Sequence, residues 1–150
     1  MPAYDEDFYA WAHEQIRFLR ERRIDLLDIE HLTGELDKVA KAKLHVLVDR
    51  TVKLLVHLFR WRYLPTERTD GLRAMIEAER SSVLEGLRES PSFSNTTDEP
   101  SNYQLVWERA LSEVTTESQR DYFPDECPWS IDDVLSRGWL PAVDESGTGG

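Results

Sequence analysis

The sequence predicts an all-α protein, a single bundle of five to six helices around a central apolar helix, with a short C-terminal helix docked on it. Apolar residues recur at three- and four-residue spacing in successive segments, and no segment alternates as a strand would. The run from Leu54 to Leu64 is the most apolar stretch, and Pro65 ends it. A helix that is apolar on nearly all sides is one that other helices surround.

Length and charge limit the function classes. The chain has 150 residues, 31% of them charged, and a net charge of -11. We expect one helical domain over residues 1–143 and a flexible tail over 144–150, which is small and polar. An acidic surface argues against nucleic acid and against anionic membranes as partners. No apolar run approaches the ~18 residues of a membrane span, and the N-terminus does not resemble a signal peptide, so the cytoplasm is the expected location.

The first helix is predicted from Tyr4 to about Arg22. Acidic residues at 5–7 fall in its first turn and arginines in its last, as the helix dipole favours. One face carries apolar and aromatic residues, with a single glutamine among them: Tyr4, Phe8, Trp11, Ala12, Gln15, Ile16 and Leu19.

The second helix is predicted to start at an Asp28 cap and to run to Val39. Gly34 lies inside it, which we interpret as close packing against a neighbouring helix, with a bend as the alternative. Between Val39 and Lys43 there is no proline, glycine or capping residue. The helices of 28–39 and 43–64 therefore either form one continuous helix or break near residues 38–43, and the sequence leaves both open.

Three more helices are predicted beyond Pro65, the last of them the short C-terminal helix. Counted along the chain, the fourth helix starts at a Thr69 or Asp70 cap and ends near Glu89. A loop of about ten residues follows over 91–100. The fifth starts at Ser101 or Asn102 and runs to about Ser118.

The C-terminal segment from Phe123 to Leu140 is too apolar for a free tail, so we predict that it is a clasp docked on the bundle. Ser130 has the position of a helix cap, and Trp129 and Val134 have the spacing of a hydrophobic staple. The short helix should end near Gly138.

A basic stripe on the central helix is the sharpest chemical feature. Arg50, Lys53, His57 and Arg60 recur at three- and four-residue steps and so share one helix face. Two interpretations stay open. The stripe faces solvent or pairs internally, with carboxylates of a second helix lying alongside, namely Glu30, Glu35 and Asp37. Alternatively it is a binding surface for an acidic partner or a small anion.

No catalytic constellation and no cofactor or metal site is predicted. His31 and Glu35 share a helix face, but a metal needs three or more converging ligands. Cys127, the single cysteine, lies beside Glu126, an acidic setting that should raise the pKa of its thiol. The glycines are isolated, so no phosphate-binding loop is predicted.

Four motifs in order resemble the bacterial family known as domain of unknown function twenty-nine, over about Tyr4 to Pro141. They are Asp7-Phe8-Tyr9-Ala10-Trp11, His57-Leu58-Phe59-Arg60-Trp61-Arg62-Tyr63-Leu64-Pro65, Ser90-Pro91-Ser92, and Phe123-Pro124 with Cys127-Pro128-Trp129. The resemblance implies an all-helical fold, a prokaryotic source and no established activity. The chain lacks the glycine that members often carry near Val39 and the tryptophan they often carry where Leu72 stands.

Three functions are consistent with these observations. The favoured one is a non-catalytic helical protein-interaction module of a bacterial cytoplasm, with an unknown protein partner or a second copy of the chain. An acidic regulatory partner that neutralises a basic protein is the second. An enzyme with an unrecognised, metal-assisted site is the third.

Overall fold

The computed structural model describes residues 3–93 and 100–143. Within these ranges no strand occurs, which confirms the all-α class. The α-helices are α1 (Phe8–Arg20), α2 (Ile29–Tyr63), α3 (Asp70–Glu89), α4 (Pro100–Val114) and α5 (Ile131–Leu135). Short 3₁₀ segments lie at Ile24–Leu26, Pro65–Glu67 and Glu117–Tyr122.

The chain divides into two compact units, residues 1–43 and residues 44 onward. The single domain predicted over 1–143 stays a prediction. The predicted tail, 144–150, and most of the predicted loop of 91–100 lie outside the described residues.

Helix α2 is continuous from Ile29 to Tyr63, which settles the question left open by the sequence. Nothing between Val39 and Lys43 interrupts the helix. The close packing predicted at Gly34 is wrong, because a Cβ placed on this residue would have no heavy atom within 4 Å. The glycine lies on an exposed stretch of the helix.

The unit of residues 1–43 is a hairpin of α1 and the first part of α2, and we call it the N-terminal hairpin. Helix α1 starts four residues later than predicted, because Asp7 is the N-cap and accepts a hydrogen bond from the Ala10 N–H at 3.0 Å. Asp28 caps α2 as expected and also accepts from the Trp11 indole at 3.1 Å. The Asp28 N–H donates to the Gln15 side chain at 2.8 Å, so this buried glutamine joins the two helices.

In the second unit, residues 47–59 of α2 form the centre of a helical bundle, as predicted. Leu54, Leu55 and Leu58 are fully buried. The other helices contribute buried residues to the same core: Leu72, Ile76 and Val83 from α3, Val106, Trp107, Ala110 and Leu111 from α4, and Val134 from α5.

Helix α4 differs from its prediction at both ends. Its described part begins at Pro100, ahead of both predicted caps, Ser101 and Asn102. It ends at Val114, four residues earlier than expected. Thr116 and Gln119 form a capping box there, which starts the 3₁₀ segment in place of further α-helix.

The C-terminal clasp is docked within this second unit, as predicted. Ser130 caps α5 by accepting from the Asp133 N–H at 3.2 Å, and Val134 is fully buried. The backbone before the cap is held as well. The Trp107 indole donates to the Pro124 carbonyl at 3.1 Å, and the Tyr103 hydroxyl donates to the Trp129 carbonyl at 3.0 Å.

Candidate interaction surfaces

The basic stripe lies where α2 faces α3. The His57 ring is nearly buried, and its Nδ1 lies 2.6 Å from a Glu79 carboxylate oxygen and 3.0 Å from the Lys53 carbonyl oxygen. Arg60 lies 3.9 Å from Glu67, which belongs to the segment after α2. Two of the four basic residues are therefore paired with carboxylates.

The other two stripe residues are less engaged. Arg50 donates to the Ser82 carbonyl of α3 at 3.4 Å, and Lys53 is exposed. The carboxylates predicted to face the stripe, Glu30, Glu35 and Asp37, do not do so. They lie on the N-terminal part of the same continuous helix, which cannot fold back alongside itself, so that pairing was predicted wrongly.

Two shallow cavities flank His57. One of about 330 Å³ is lined by Arg50, Lys53, Ala78, Glu79 and Ser82. The other, of about 550 Å³, is lined by His57, Arg60, Glu67, Thr69, Gly71, Leu72 and Met75. Each contains a carboxylate that offsets the positive charge. Binding by the stripe stays a prediction that nothing in this geometry tests.

The surroundings of His57 do not form a hydrolytic site of the serine or cysteine type. Glu79 orients the ring, but in the described part of the chain no serine, threonine or cysteine side chain hydrogen-bonds to it. The same residues contain no group of three or more His, Cys, Asp or Glu side chains that could hold a metal ion.

Cys127 is the other chemically notable group. Its Sγ lies 3.1 Å from the Tyr103 hydroxyl, and burial raises the pKa of the thiol. Burial also raises the pKa of the Tyr103 hydroxyl, with the neighbouring thiol as a second cause. Both groups are thus held in their neutral forms, and a protonated thiol is a poor nucleophile.

A third cavity, of about 680 Å³, lies between α2 and α4 in the second unit. Its walls are mainly apolar, and its polar edge is partly neutralised by the Arg109–Asp49 ion pair at 2.8 Å. The lining residues are Leu44, Val48, Asn102, Leu105, Val106, Glu108, Arg109, Ser112 and Glu113.

The N-terminal hairpin carries an apolar groove of about 260 Å³ between α1 and α2. We define the hairpin groove by its lining residues, which are apolar apart from two: Phe8, Trp11, Ala12, Gln15, Ile16, Leu19, Leu32, Glu35, Leu36 and Val39. Its rims are open to solvent, with Leu36 71%, Val39 54%, Leu19 53% and Phe8 50% exposed. Among the described residues, its lining comes from α1 and α2 alone.

One end of the hairpin is rigidified by a polar cluster. The Tyr4 hydroxyl donates to the Glu35 carboxylate, Lys38 lies 3.1 Å from the same carboxylate, and the Tyr4 ring stacks on His31 at 4.0 Å. The hydrogen bond from Tyr4, followed by that from Lys38, lowers the pKa of Glu35. The cluster fixes the angle between the segment before α1 and helix α2.

The groove was only half visible in the sequence. The spacing of residues in α1 predicts its apolar face, but nothing in the sequence predicts that this face stays open to solvent. Spacing shows which residues share a face, not whether another element covers them. Buried residues of α2 start only at Leu47, so the part of α2 in the hairpin offers apolar side chains without a core.

Together these features define an all-helical protein whose clearest surface feature is an open apolar groove. The sequence profile described as "Domain of unknown function DUF29" matches residues 3–140, so the chain belongs to that family. Neither the curated proteins nor the solved structures give a match. No helix in the described ranges is long and apolar enough to cross a membrane.

Proposed function

We propose that the protein is a non-catalytic helical interaction module and that the hairpin groove is its docking surface. One observation carries this proposal: four large apolar side chains on two helices, Phe8, Leu19, Leu36 and Val39, are each half or more exposed around a single groove. Single exposed apolar residues are ordinary, but a contiguous patch on facing helices marks an interaction site.

The groove has the form that a helical partner requires. Residues Leu32, Leu36 and Val39 follow the spacing of one helix face, as do Phe8, Ala12 and Ile16. A third apolar helix could lie between the two rows, burying its own face against both. Burial of this kind contributes about 25 cal/mol per Å² of apolar surface before the costs of association are subtracted.

The two alternatives have less support. A neutraliser of a basic protein would rest on the net charge of -11 alone, without a defined acidic surface. An enzymatic role would rest on the His57–Glu79 pair, which has no partner group that points to a reaction. For location we favour the cytoplasm, on the ground that the single cysteine is a free thiol, typical of reducing compartments.

A site-specific cross-link tests the proposed docking surface. A photoreactive phenylalanine analogue replaces Leu36 in the full chain, expressed in its native host. The matched control places it at Tyr122, which is 82% exposed, belongs to the 3₁₀ segment of the second unit and lines none of the cavities described above. We expect the Leu36 probe to give a discrete product that mass spectrometry identifies as one protein. Cross-linking no greater than at Tyr122 would overturn the proposal.

A further inference from the structure

We propose that the occupant of the hairpin groove is the N-terminal hairpin of a second copy of this chain, packed antiparallel about a two-fold axis. The inference rests on the proposed function, because it names the partner of the same groove. Two hairpins joined in this way would form a four-helix arrangement with the apolar faces inside.

The size of the hairpin is the first argument. Its described residues include only three buried side chains in α1, Trp11, Gln15 and Phe18, and none in its part of α2. Units of about 40 residues rarely hold a stable core without disulfides, metals or oligomerisation. This one has no disulfide, since Cys127 lies elsewhere in the chain. A second copy supplies the missing apolar layer.

Charge complementarity selects the second copy and its direction. Acidic residues precede α1 at Asp5, Glu6 and Asp7, whereas Arg17, Arg20 and Arg22 lie at its other end. Parallel pairing of two α1 helices would place like charges together. Antiparallel pairing places the acidic end of each copy against the basic end of the other, and this pairing occurs twice in a two-fold dimer.

The apolar stripe gives the same register as the charges. In α1 it runs from Phe8 to Leu19, so its middle lies between residues 13 and 14. A two-fold axis there brings Phe8 of one copy towards Leu19 of the other. The same axis brings Asp5 towards Arg22 and Asp7 towards Arg20 of the other copy, with Glu6 level with Glu21. The apolar contact and two of the three charge pairings at each end are thus favourable in one symmetric arrangement.

Net charge does not oppose this contact strongly. Residues 1–43 contain ten acidic and seven basic side chains, a net charge of -3, while the whole chain carries -11. Only three of the eleven excess negative charges therefore lie in the hairpin, in proportion to its length. Moreover, no hydrogen bond or ion pair within the described residues engages the side chains of Asp5, Glu6 or Arg20, so they are free to pair across the interface.

Sedimentation velocity across a concentration series tests the self-association of the full chain. We expect a concentration-dependent dimer for the wild type. Leu36→Glu should raise the dimer dissociation constant by about tenfold or more, because it places a charge in the apolar contact. Tyr122→Glu, at a highly exposed residue of the second unit, is the matched control and should leave it unchanged. A wild-type chain that is monomeric throughout the series overturns the inference.

Charge reversal tests the antiparallel register. It also detects misfolding, because two misfolded variants would not form a dimer when they are mixed. Asp5→Lys with Glu6→Lys, and separately Arg20→Glu, should each weaken the homodimer. Mixing these two variants should restore a dimer of one copy of each, because both pairs of facing ends are then opposite in sign. Arg88→Glu and Glu85→Lys, both exposed on α3, are the matched controls and should change nothing. Failure of the mixture to dimerise overturns the antiparallel arrangement.

The cross-link from Leu36 separates the failure of this inference from that of the proposed function. A product containing two copies of the chain supports both. A product with a different identified protein keeps the proposed function and overturns the second copy as occupant. A product no stronger than the Tyr122 control overturns both.

Discussion

At the residue scale, Arg80 is the side chain on which the C-terminal clasp depends. It is fully buried, and its guanidinium donates to the Val134 carbonyl at 2.9 Å and to the Trp139 carbonyl at 2.6 Å. Glu77 pairs with the same guanidinium and also accepts from the Gly138 N–H at 3.1 Å. The planar guanidinium presents its donors in a fixed fork that reaches acceptors on several sides, a geometry that the compact ammonium of a lysine does not have.

Replacing Arg80 with alanine should destabilise the protein by about 3–5 kcal/mol, because two buried carbonyls and a carboxylate lose their partner. Urea denaturation gives the free energy of unfolding, and hydrogen exchange should show the amides of 131–140 losing protection first. Arg88→Ala on the exposed side of α3 is the control, expected within about 0.5 kcal/mol of the wild type. A loss below 1 kcal/mol at Arg80 would show that the clasp is held by apolar contact alone.

Because its Cys127 thiol is partly buried, the protein should lose stability at alkaline pH. Burial raises the pKa of its thiol in the folded state above the unfolded value of about 8.5. The folded thiol therefore keeps its proton where the unfolded thiol loses it. Its contribution is complete below the unfolded pKa and falls as pH rises through the folded pKa.

Cys127→Ala should consequently lessen the decline in unfolding free energy between pH 8 and about 9.5, a window below the ordinary pKa of tyrosine near 10. The measurement is urea denaturation at a series of pH values for both proteins. If unfolding free energy depends on pH equally in the wild type and in Cys127→Ala, the Cys127 thiol does not cause the alkaline loss of stability. The wild-type thiol should also react slowly with a disulfide reagent at neutral pH, and denaturant should abolish that slowness.

At the scale of elements, α2 joins two environments in one helix. Its residues from 47 to 59 are mostly buried, while its residues from 29 to 43 are mostly exposed. The sequence predicted the first part well, because apolar residues on nearly all sides leave a helix no stable place except a core. It could not decide the continuity, since the absence of a breaker permits a long helix without requiring one.

Leu55→Ala should cost about 2–5 kcal/mol of unfolding free energy, because it leaves a cavity in the centre of the second unit. Lys53→Ala, two positions earlier on the exposed side of the same helix, is the control and should change stability by no more than about 0.5 kcal/mol. Chemical denaturation of both variants decides the point. A small effect at Leu55 would mean that the surrounding helices collapse into the space.

Two carboxylates of the hairpin, those of Asp28 and Glu35, should make the protein lose stability at acid pH. The hydrogen bond to His31, with that from Trp11, lowers the pKa of Asp28, and Tyr4 and Lys38 lower the pKa of Glu35. Each carboxylate therefore contributes stability that is present above its unfolded pKa, about 4 for both residue types. This contribution disappears as pH falls through the lower folded pKa.

Asp28→Asn separates charge from capping, because asparagine caps a helix about as well as aspartate does. We expect the variant to lose stability at pH 7 and to show a smaller change than the wild type between pH 5 and pH 2. Circular dichroism with urea titration at each pH measures both. If the variant and the wild type lose stability in parallel on acidification, Asp28 is not among the groups responsible.

At the scale of the whole molecule, the sequence predicted the helical class, the central helix and the docked clasp, while surfaces were predicted less well. The stripe of Arg50, Lys53, His57 and Arg60 was found from spacing, but its carboxylate partners lie on α3 and in the segment after α2. Pairing between helices depends on which faces meet, and a sequence pattern describes each helix separately. The buried Arg80 escaped notice for the same reason, because arginine on a helix is usually exposed.

The division into two units predicts graded protection against hydrogen exchange along the chain. The core around Leu54 and Leu58 lies entirely in the second unit, whereas α1 has three buried side chains. Amides of α1 should therefore exchange through openings of lower free energy than those of residues 54–58. If the hairpin also pairs with a second copy, protection of α1 alone should rise with protein concentration. Native-state exchange at several denaturant and protein concentrations measures both effects. A common free energy for α1 and residues 54–58, independent of concentration, would instead favour the single cooperative domain predicted over 1–143.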